Sequence, residues 1–247
     1  MAGVPLEKVL YISSVSSPFD VSRRLVYYVD WGKPFTISAF STYDHNKLSF
    51  ISSTVLYLYS RLSEWGVRRA LLVHAYRVDL AEALYEHMSK ECTDYNVDPG
   101  EVNVAVSDMI SYGDTIHEAV QNFVEHGGIL ITSTGAAEGV DLPGDTCRLQ
   151  VIAKAPFPSL YYPSHLRDFY IAKTIVQMSG RVVRSRSDFG YTIILDSAAL
   201  KHYLENGMYY PEYFKEAVVI GKSFEEVVSD IGERVKAYAK ENAVVNP

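Results

Sequence analysis

Short runs in which nearly every side chain is apolar or β-branched alternate along this chain with longer stretches of helical periodicity. No other feature limits its fold so tightly. The runs are Val9–Ser14, Phe35–Phe40, Ala70–Ala75, Val102–Ser107, Ile129–Ser133, Leu149–Ala155 and Tyr191–Leu195. A strand with one wet face alternates apolar and polar residues, whereas a strand covered on both faces is apolar throughout, as parallel strands usually are. The helical stretches between them are about Lys47–Trp65, Val78–Lys90, Thr115–His126 and Pro163–Val183, with Gly66 and Gly127–Gly128 as stop signals. A last amphipathic helix is expected at about 223–242, carried by Phe224, Val227, Val228, Ile231, Val235 and Tyr238. The alternation predicts an α/β fold: one mostly parallel sheet flanked by helices on both faces, with ligands beyond the carboxyl ends of the strands. The 247 residues suit one such domain.

Composition removes several classes of function. No apolar run approaches the ~18 residues of a membrane span, and the first residues lack the basic and apolar segments of a secretion signal. A cytoplasmic setting, or a nuclear one in a eukaryote, is the expectation, with no membrane partner. Cys92 and Cys147 stand far apart with no ligand at metal-binding spacing, so buried thiols are expected and no metal site. The net charge of −7 argues against a surface that binds nucleic acid through bulk charge, leaving local contacts only. Most of the 19 tyrosines are expected to pack, although Tyr161–Tyr162 and Tyr209–Tyr210 could stack on unpaired bases.

The sharpest segment is Gln177-Met-Ser-Gly180-Arg181-Val-Val-Arg184-Ser185-Arg186-Ser-Asp188-Phe-Gly190. On a helix, Lys173, Gln177, Arg181 and Arg184 share one face, and Phe169, Ala172, Val176 and Val183 are expected on the opposite, sheet-facing side. Two guanidiniums on the last turn of a rigid helix can make fork-shaped hydrogen bonds to a triphosphate on a neighbouring surface. They would offset the charge that develops as the γ-phosphate leaves, an effect on the order of 10³ or more in rate. The plainer alternative is that they only complement the helix dipole. Upstream, a strand runs into a loop holding Gly135, Glu138, Gly139, Asp141, Pro143 and Gly144. Glycines there allow close backbone approach to a ligand, and Asp141 could bind a ribose hydroxyl or hold an arginine. Any such loop, seen alone, is more often an ordinary strand–turn junction.

Taken together, Glu138-Gly-Val-Asp-Leu-Pro-Gly-Asp145, Ala155-Pro-Phe-Pro-Ser159 and Gln177-x-x-Gly-Arg-x-x-Arg-Ser185-x-x-Asp188-x-Gly190 resemble motifs V and VI of the XPD/DinG helicases. Ala70-Leu-Leu-Val-His-Ala-Tyr76 resembles motif IV, and Ile12–Asp20 a diverged motif III, so the resemblance spans about residues 9–215. These are superfamily 2 motors in which two RecA-like domains close on ATP. The resemblance implies a second RecA-like motor domain over the whole chain, with Arg181, Arg184 and Gln177 acting on ATP. It puts Glu138, Gly139, Asp141 and Asp188 at the nucleotide, and Tyr76, Thr134 and Gly135 at single-stranded DNA. Ala75 replaces the usual small hydroxyl residue of motif IV, and Thr134-Gly135-Ala136 stands where the family often has Arg-Gly-Lys. Both changes weaken the expected contact with the strand.

Neither a Gly-x-x-x-x-Gly-Lys-Ser/Thr loop nor an Asp-Glu-Ala/Cys-His box occurs in the chain. Gly221-Lys222-Ser223 imitates the end of such a loop, but Glu216 occupies the place of its first glycine. Ser223 as an N-cap with Glu226 three residues on explains that segment better. ATP with Mg²⁺ would therefore be bound mainly by a first RecA-like motor domain, supplied in cis or in trans, and the chain alone should not turn over ATP. Two other readings stand beside this one. One is a standalone, non-catalytic adaptor that keeps the helicase domain fold and binds nucleic acid or protein. The other is an unrelated α/β enzyme whose Arg181 and Arg184 bind a diphosphate.

Overall fold

The computed structural model describes residues 17–37, 44–106, 113–133, 142, 144–158, 163–183, 185–186 and 188–245, to which all structural statements refer. The strands are β1 Val26–Asp30, β2 Ala70–Tyr76, β3 Val102–Ala105, β4 Gly128–Ser133, β5 Leu149–Ile152, β6 Tyr191–Ile194 and β7 Val218–Ser223. The helices are α1 His45–Arg61, α2 Val78–Glu91, α3 Gly113–His126, α4 Ser164–Ser179, α5 Ser197–Glu205, α6 Glu212–Lys215 and α7 Phe224–Val245. All seven strands join one sheet in the order β3-β4-β2-β5-β6-β1-β7, and every pairing is parallel.

The apolar runs become the middle of the sheet for the reason the sequence implied: they are covered on both faces. Every residue of β4 and β5 is buried. One face carries Leu71, Val73, Ile129, Ile131, Val151 and Ile193 and packs under α1, α2 and α7 through Val55, Leu58, Leu84, Met88, Ile231 and Val235. The opposite face is divided. Ile152, Ile194 and Tyr28 pack under α4, α5 and α6, whereas Leu72, Leu130 and Ala105 pack with Phe123 of α3 and with Val182 and Val183.

Local chemistry sets the element ends. Gly127 and Gly128 stop α3 and start β4 at φ 83° and 102°, and a Cβ on either would lie 2.4 Å from a backbone oxygen, Arg69 O or Glu101 O. Only glycine serves at both places. At α7, Ser223 N donates to Glu226 at 2.8 Å while Ser223 Oγ accepts from Glu226 N at 3.3 Å. The reciprocal cap expected there is formed, and the Gly221-Lys222-Ser223 segment belongs to strand and cap.

Four expectations need correction. No strand forms at Phe35–Ile37; instead Phe35 joins Trp31, Phe50 and Phe224 in an aromatic cluster, which half-buries the residue without a ladder. The rest of that run, and Val9–Ser14, lie outside the described residues. Strands β1 and β7 were not anticipated, and α4 ends at Ser179, with the chain continuing as a short 3₁₀ turn, Gly180–Val182. Phe169 does not face the sheet: it is 52% exposed, because the buried stripe of α4 runs through Ile171, Ala172, Ile175 and Met178. Cys92 and Cys147 are both buried free thiols.

Candidate functional site

The segment Gln177–Gly190 closes α4 and leads into β6. Lys173, Gln177 and Gly180 are exposed and Arg181 is half-exposed, while Val182 and Val183 turn inward onto the sheet. The helical face read from the sequence is thus preserved up to Arg181, and Arg184 lies outside the described residues. Gly180 has an ordinary φ of −81°, so conformation does not require glycine there; a Cβ would meet nothing within 4 Å, leaving open space above the turn. At the other end a Cβ on Gly190 would lie 2.6 Å from Val182 Cγ2, so glycine is what lets the two arms of the turn close on each other.

Asp188 is placed differently from the other candidates. It is buried, its carboxylate accepts from Arg148 Nη1 at 3.1 Å and from Ser185 N at 3.0 Å, and Arg148 also donates to Phe189 O at 2.8 Å. Arg148 is itself buried, lies 4.4 Å over the Phe189 ring and binds Asp145 at the surface. A buried carboxylate with a charged partner and a backbone N–H is held by strong, charge-assisted hydrogen bonds. These tie the return arm of the turn to the start of β5.

At the carboxyl ends of the strands, Tyr76 ends β2 with φ 68°, one of two described non-glycine residues in the left-handed region, next to an irregularity in the pairing with β4. Such a conformation costs on the order of 1–3 kcal/mol and recurs at ligand-contacting positions. On the same rim, Asp196 accepts from Ala155 N and Ala198 N, both at 2.9 Å, and burial raises its pKa while those donors oppose the rise. Burial lowers the pKa of Lys154, which donates to Ile37 O, with Asp196 opposing; Lys47 donates to Thr36 O at 2.6 Å. Thr134, Gly135, Glu138, Gly139 and Asp141, the other candidates of this edge, lie outside the described residues. Of the tyrosine pairs, Tyr210 is buried and bonds His202 Nδ1 at 2.9 Å, Tyr209 packs edge-on to Phe169, and 161–162 lie outside.

A row of buried polar side chains, none of them a candidate from the sequence, lies beneath the turn. Thr132, His74, Gln150 and Thr192 are at most 1% exposed and sit on four adjacent strands, β4, β2, β5 and β6. His74 Nε2 lies 3.0 Å from Gln150 Oε1, and Gln150 Nε2 donates to Thr192 Oγ1 at 2.8 Å and to Ser179 O at 3.0 Å. Burial pushes the His74 pKa down to about 4; the Gln150 bond opposes this, and the Arg181 charge adds to the lowering. A signal was available: a His, a Gln and two Thr interrupt otherwise apolar strands, and pairing brings Gln150 beside Thr192 and His74 beside Thr132.

Among the described residues, no group of three or more His, Cys, Asp and Glu could hold a metal ion, and no helix is long and apolar enough to cross a membrane.

With this geometry in hand, comparison with known proteins is decisive for the family. The family described as "Helicase C-terminal domain" matches residues 70–210, from β2 through the turn after α4 to the end of α5 and the residues beyond it. The chain belongs to the helicase C-terminal domain family. This domain is 29% identical over 140 residues to a probable ATP-dependent helicase of Methanocaldococcus jannaschii, covering 47% of the chain and 21% of that protein. Solved structures of Dbp5 of S. cerevisiae bound to RNA and ADP BeF3 share the fold. One superposes at TM-score 0.55 and a single-substitution variant at 0.58, each at 16% identity over 88% of this chain and 46% of theirs. The helicase C-terminal domain here is therefore RecA-like. It spans about a fifth of the archaeal relative and under half of the Dbp5 chains.

Proposed function

We propose that this chain is the second motor domain of an ATP-dependent DNA helicase of the XPD/DinG type. Arg181 and Arg184, with Gln177, act on ATP bound at the interface with a first motor domain, and the rim at Tyr76 contacts single-stranded DNA. The observation that carries the reading is the turn after α4: Gln177 and Gly180 are exposed and Arg181 is half-exposed, on a segment whose flanks, Val182, Val183 and Asp188, are buried. A guanidinium on so anchored a turn is pre-positioned for phosphoryl oxygens and loses little freedom when it engages them. The residues present fit only the outer rim of a triphosphate. No phosphate-binding loop occurs in the sequence, so the β- and γ-phosphates and Mg²⁺ would be held by the partner domain. The strained Tyr76 supports the nucleic-acid role, where an aromatic ring can stack on a base.

The test is ATP turnover, measured for the chain alone and for the chain joined to its first motor domain, with single-stranded DNA present. The chain alone should be inactive. In the joined protein, Arg181→Ala and Arg184→Ala should each lower turnover by about 10³, and lysine should restore little of it because a point charge lacks the planar fork. Turnover by the chain alone, or arginine variants that keep normal turnover, would overturn the reading. A joined protein that never hydrolyses ATP would favour the non-catalytic adaptor.

A further inference from the structure

The last carbonyls of an α-helix have no partner within the helix, and what satisfies them decides how the chain leaves it. At α4 the backbone offers no left-handed glycine cap, since Gly180 has φ −81°. The chain leaves α4 through the 3₁₀ turn Gly180–Val182, and Ser179 O is also met from below, by the side-chain amide of Gln150 at 3.0 Å, reaching up from the second residue of β5. The next residues are Gly180 and Arg181.

The hydrogen-bond roles along the row follow by elimination. A carbonyl oxygen only accepts, so the Gln150 atom facing Ser179 O must be the NH₂ group, which gives its second hydrogen to Thr192 Oγ1 at 2.8 Å. Gln150 Oε1 then faces His74, and an amide oxygen only accepts, so His74 Nε2 carries the ring proton at 3.0 Å. Nδ1 is left bare, with Thr132 Oγ1 at 3.5 Å and itself donating to Val73 O at 3.3 Å. Both polar atoms of the fully buried Gln150 amide are used.

We propose that Gln150, locked by His74, is a positioning residue for Arg181: it caps α4 from within the sheet and so fixes the direction in which the Gly180–Val182 turn presents the guanidinium. This rests on the reading of Arg181 as an ATP-facing group. The row begins on β4 and β2, the two strands that lead to Thr134 and Tyr76, and ends under the α4 turn; its hydrogen bonds run from His74 on β2 through Gln150 to Ser179 O, with Thr132 of β4 alongside. An apolar core would bury these positions equally well, but it would take the Gln150 amide away from Ser179 O, where the chain leaves α4.

The experiment uses the ¹⁵N-labelled chain and the same chain joined to its first motor domain. The His74 ring should show one protonated and one bare nitrogen at pH 7.5, and the Arg181 Nε–H should give an ordered, slowly exchanging signal. Gln150→Leu should keep the fold, scramble the His74 tautomer and loosen the Arg181 signal. In the joined protein it should lower kcat about tenfold while KM for ATP stays within about twofold, since misplaced groups cost rate more than binding. In an Arg181→Ala background the same change should cost nothing further. If Gln150→Leu does not fold, His74→Leu, which removes the donor to Gln150 Oε1, carries the Arg181 and kcat readouts. An unchanged Arg181 signal together with unchanged kcat overturns the proposal. Should Arg181→Ala leave turnover intact, the ATP-facing reading fails instead, and the response of the Arg181 signal to Gln150→Leu still decides the positioning.

Discussion

Acidification should weaken this domain through one ring. His74 is fully buried, with a pKa lowered from 6.5 to about 4, mainly because burial disfavours the charged imidazolium, helped by the nearby Arg181 charge. As the pH falls through about 6.5, the ring in the unfolded chain takes up a proton, while in the folded domain it stays neutral until about 4. Between those values only the unfolded state binds the proton, so stability is intact above the window and lost progressively on descending it. From the two pKa values the loss is about 2 kcal/mol between pH 7.5 and 5.0, approaching about 3 kcal/mol below pH 4. Against a typical ~5–15 kcal/mol for a domain, that is a readily measured fraction.

Other groups titrate too, so the comparison must isolate His74. His202, also lowered by burial, acts in the same direction. Asp196, raised by burial, opposes it, and the lowered Asp20, Asp230 and Glu226 lose their contribution only at more acid pH. Urea midpoints of the native chain and of His74→Gln, each at pH 7.5 and 5.0, separate these terms. Glutamine keeps a donor for Gln150 Oε1 and cannot titrate, so the variant should lose about 2 kcal/mol less than the native chain over that interval. Equal losses in the two proteins would mean that the ring is solvated in the folded state and the polar row is open to water.

Three further outcomes follow from the same contacts. Arg148→Met strands the Asp188 carboxylate in the interior and should cost about 3–5 kcal/mol in urea unfolding, with lysine recovering little because it cannot reach Asp188 and Phe189 O together; a loss under about 1 kcal/mol would show the pair is solvated. Ser223→Ala should lower stability by about 1 kcal/mol by opening the cap of α7, and an unchanged midpoint would show that the helix end is held by packing alone. Gly180→Ala should change stability by no more than about 0.5 kcal/mol, since its Cβ meets nothing, yet should lower turnover of the joined motor by crowding whatever approaches the turn; normal turnover would place the partner's surface elsewhere.

The legible parts of the fold were those whose burial is complete on both faces. Strands β2, β4 and β5 announce themselves because two layers of helices demand apolar side chains at most positions. Strand β7 could not be found that way: it is an edge strand, half-exposed along its length, with Gly221 and Lys222 in the middle. Strand β1 has the right residues, Val26 to Val29, but its place between β6 and β7 is fixed by partners some 165 to 195 residues away, which local periodicity does not encode. At Phe35 the error has the opposite sign. An aromatic cluster supplies burial without hydrogen-bonded neighbours, so an apolar run there does not make a strand.

The site divides along a similar line. A helix carries its pattern in sequence, so the outward face of Lys173, Gln177 and Arg181 could be read directly, and only the offset that exposes Phe169 was missed. What holds that face still lies in other segments. Gln150 is 29 residues from the carbonyl it caps, His74 is 76 from Gln150, and Arg148 is 40 from Asp188. In the sequence each is a lone polar residue in or beside an apolar run, and seen singly each reads as a blemish on a strand. Register turns them into partners: His74 stands opposite Thr132 and Gln150 opposite Thr192, and the two pairs, offset by two residues between β2 and β5, put four polar side chains on one face of the sheet. The guanidinium that the motif supplies and the amide that aims it are thus recorded in different ways, the first by spacing along one helix and the second by alignment across four strands.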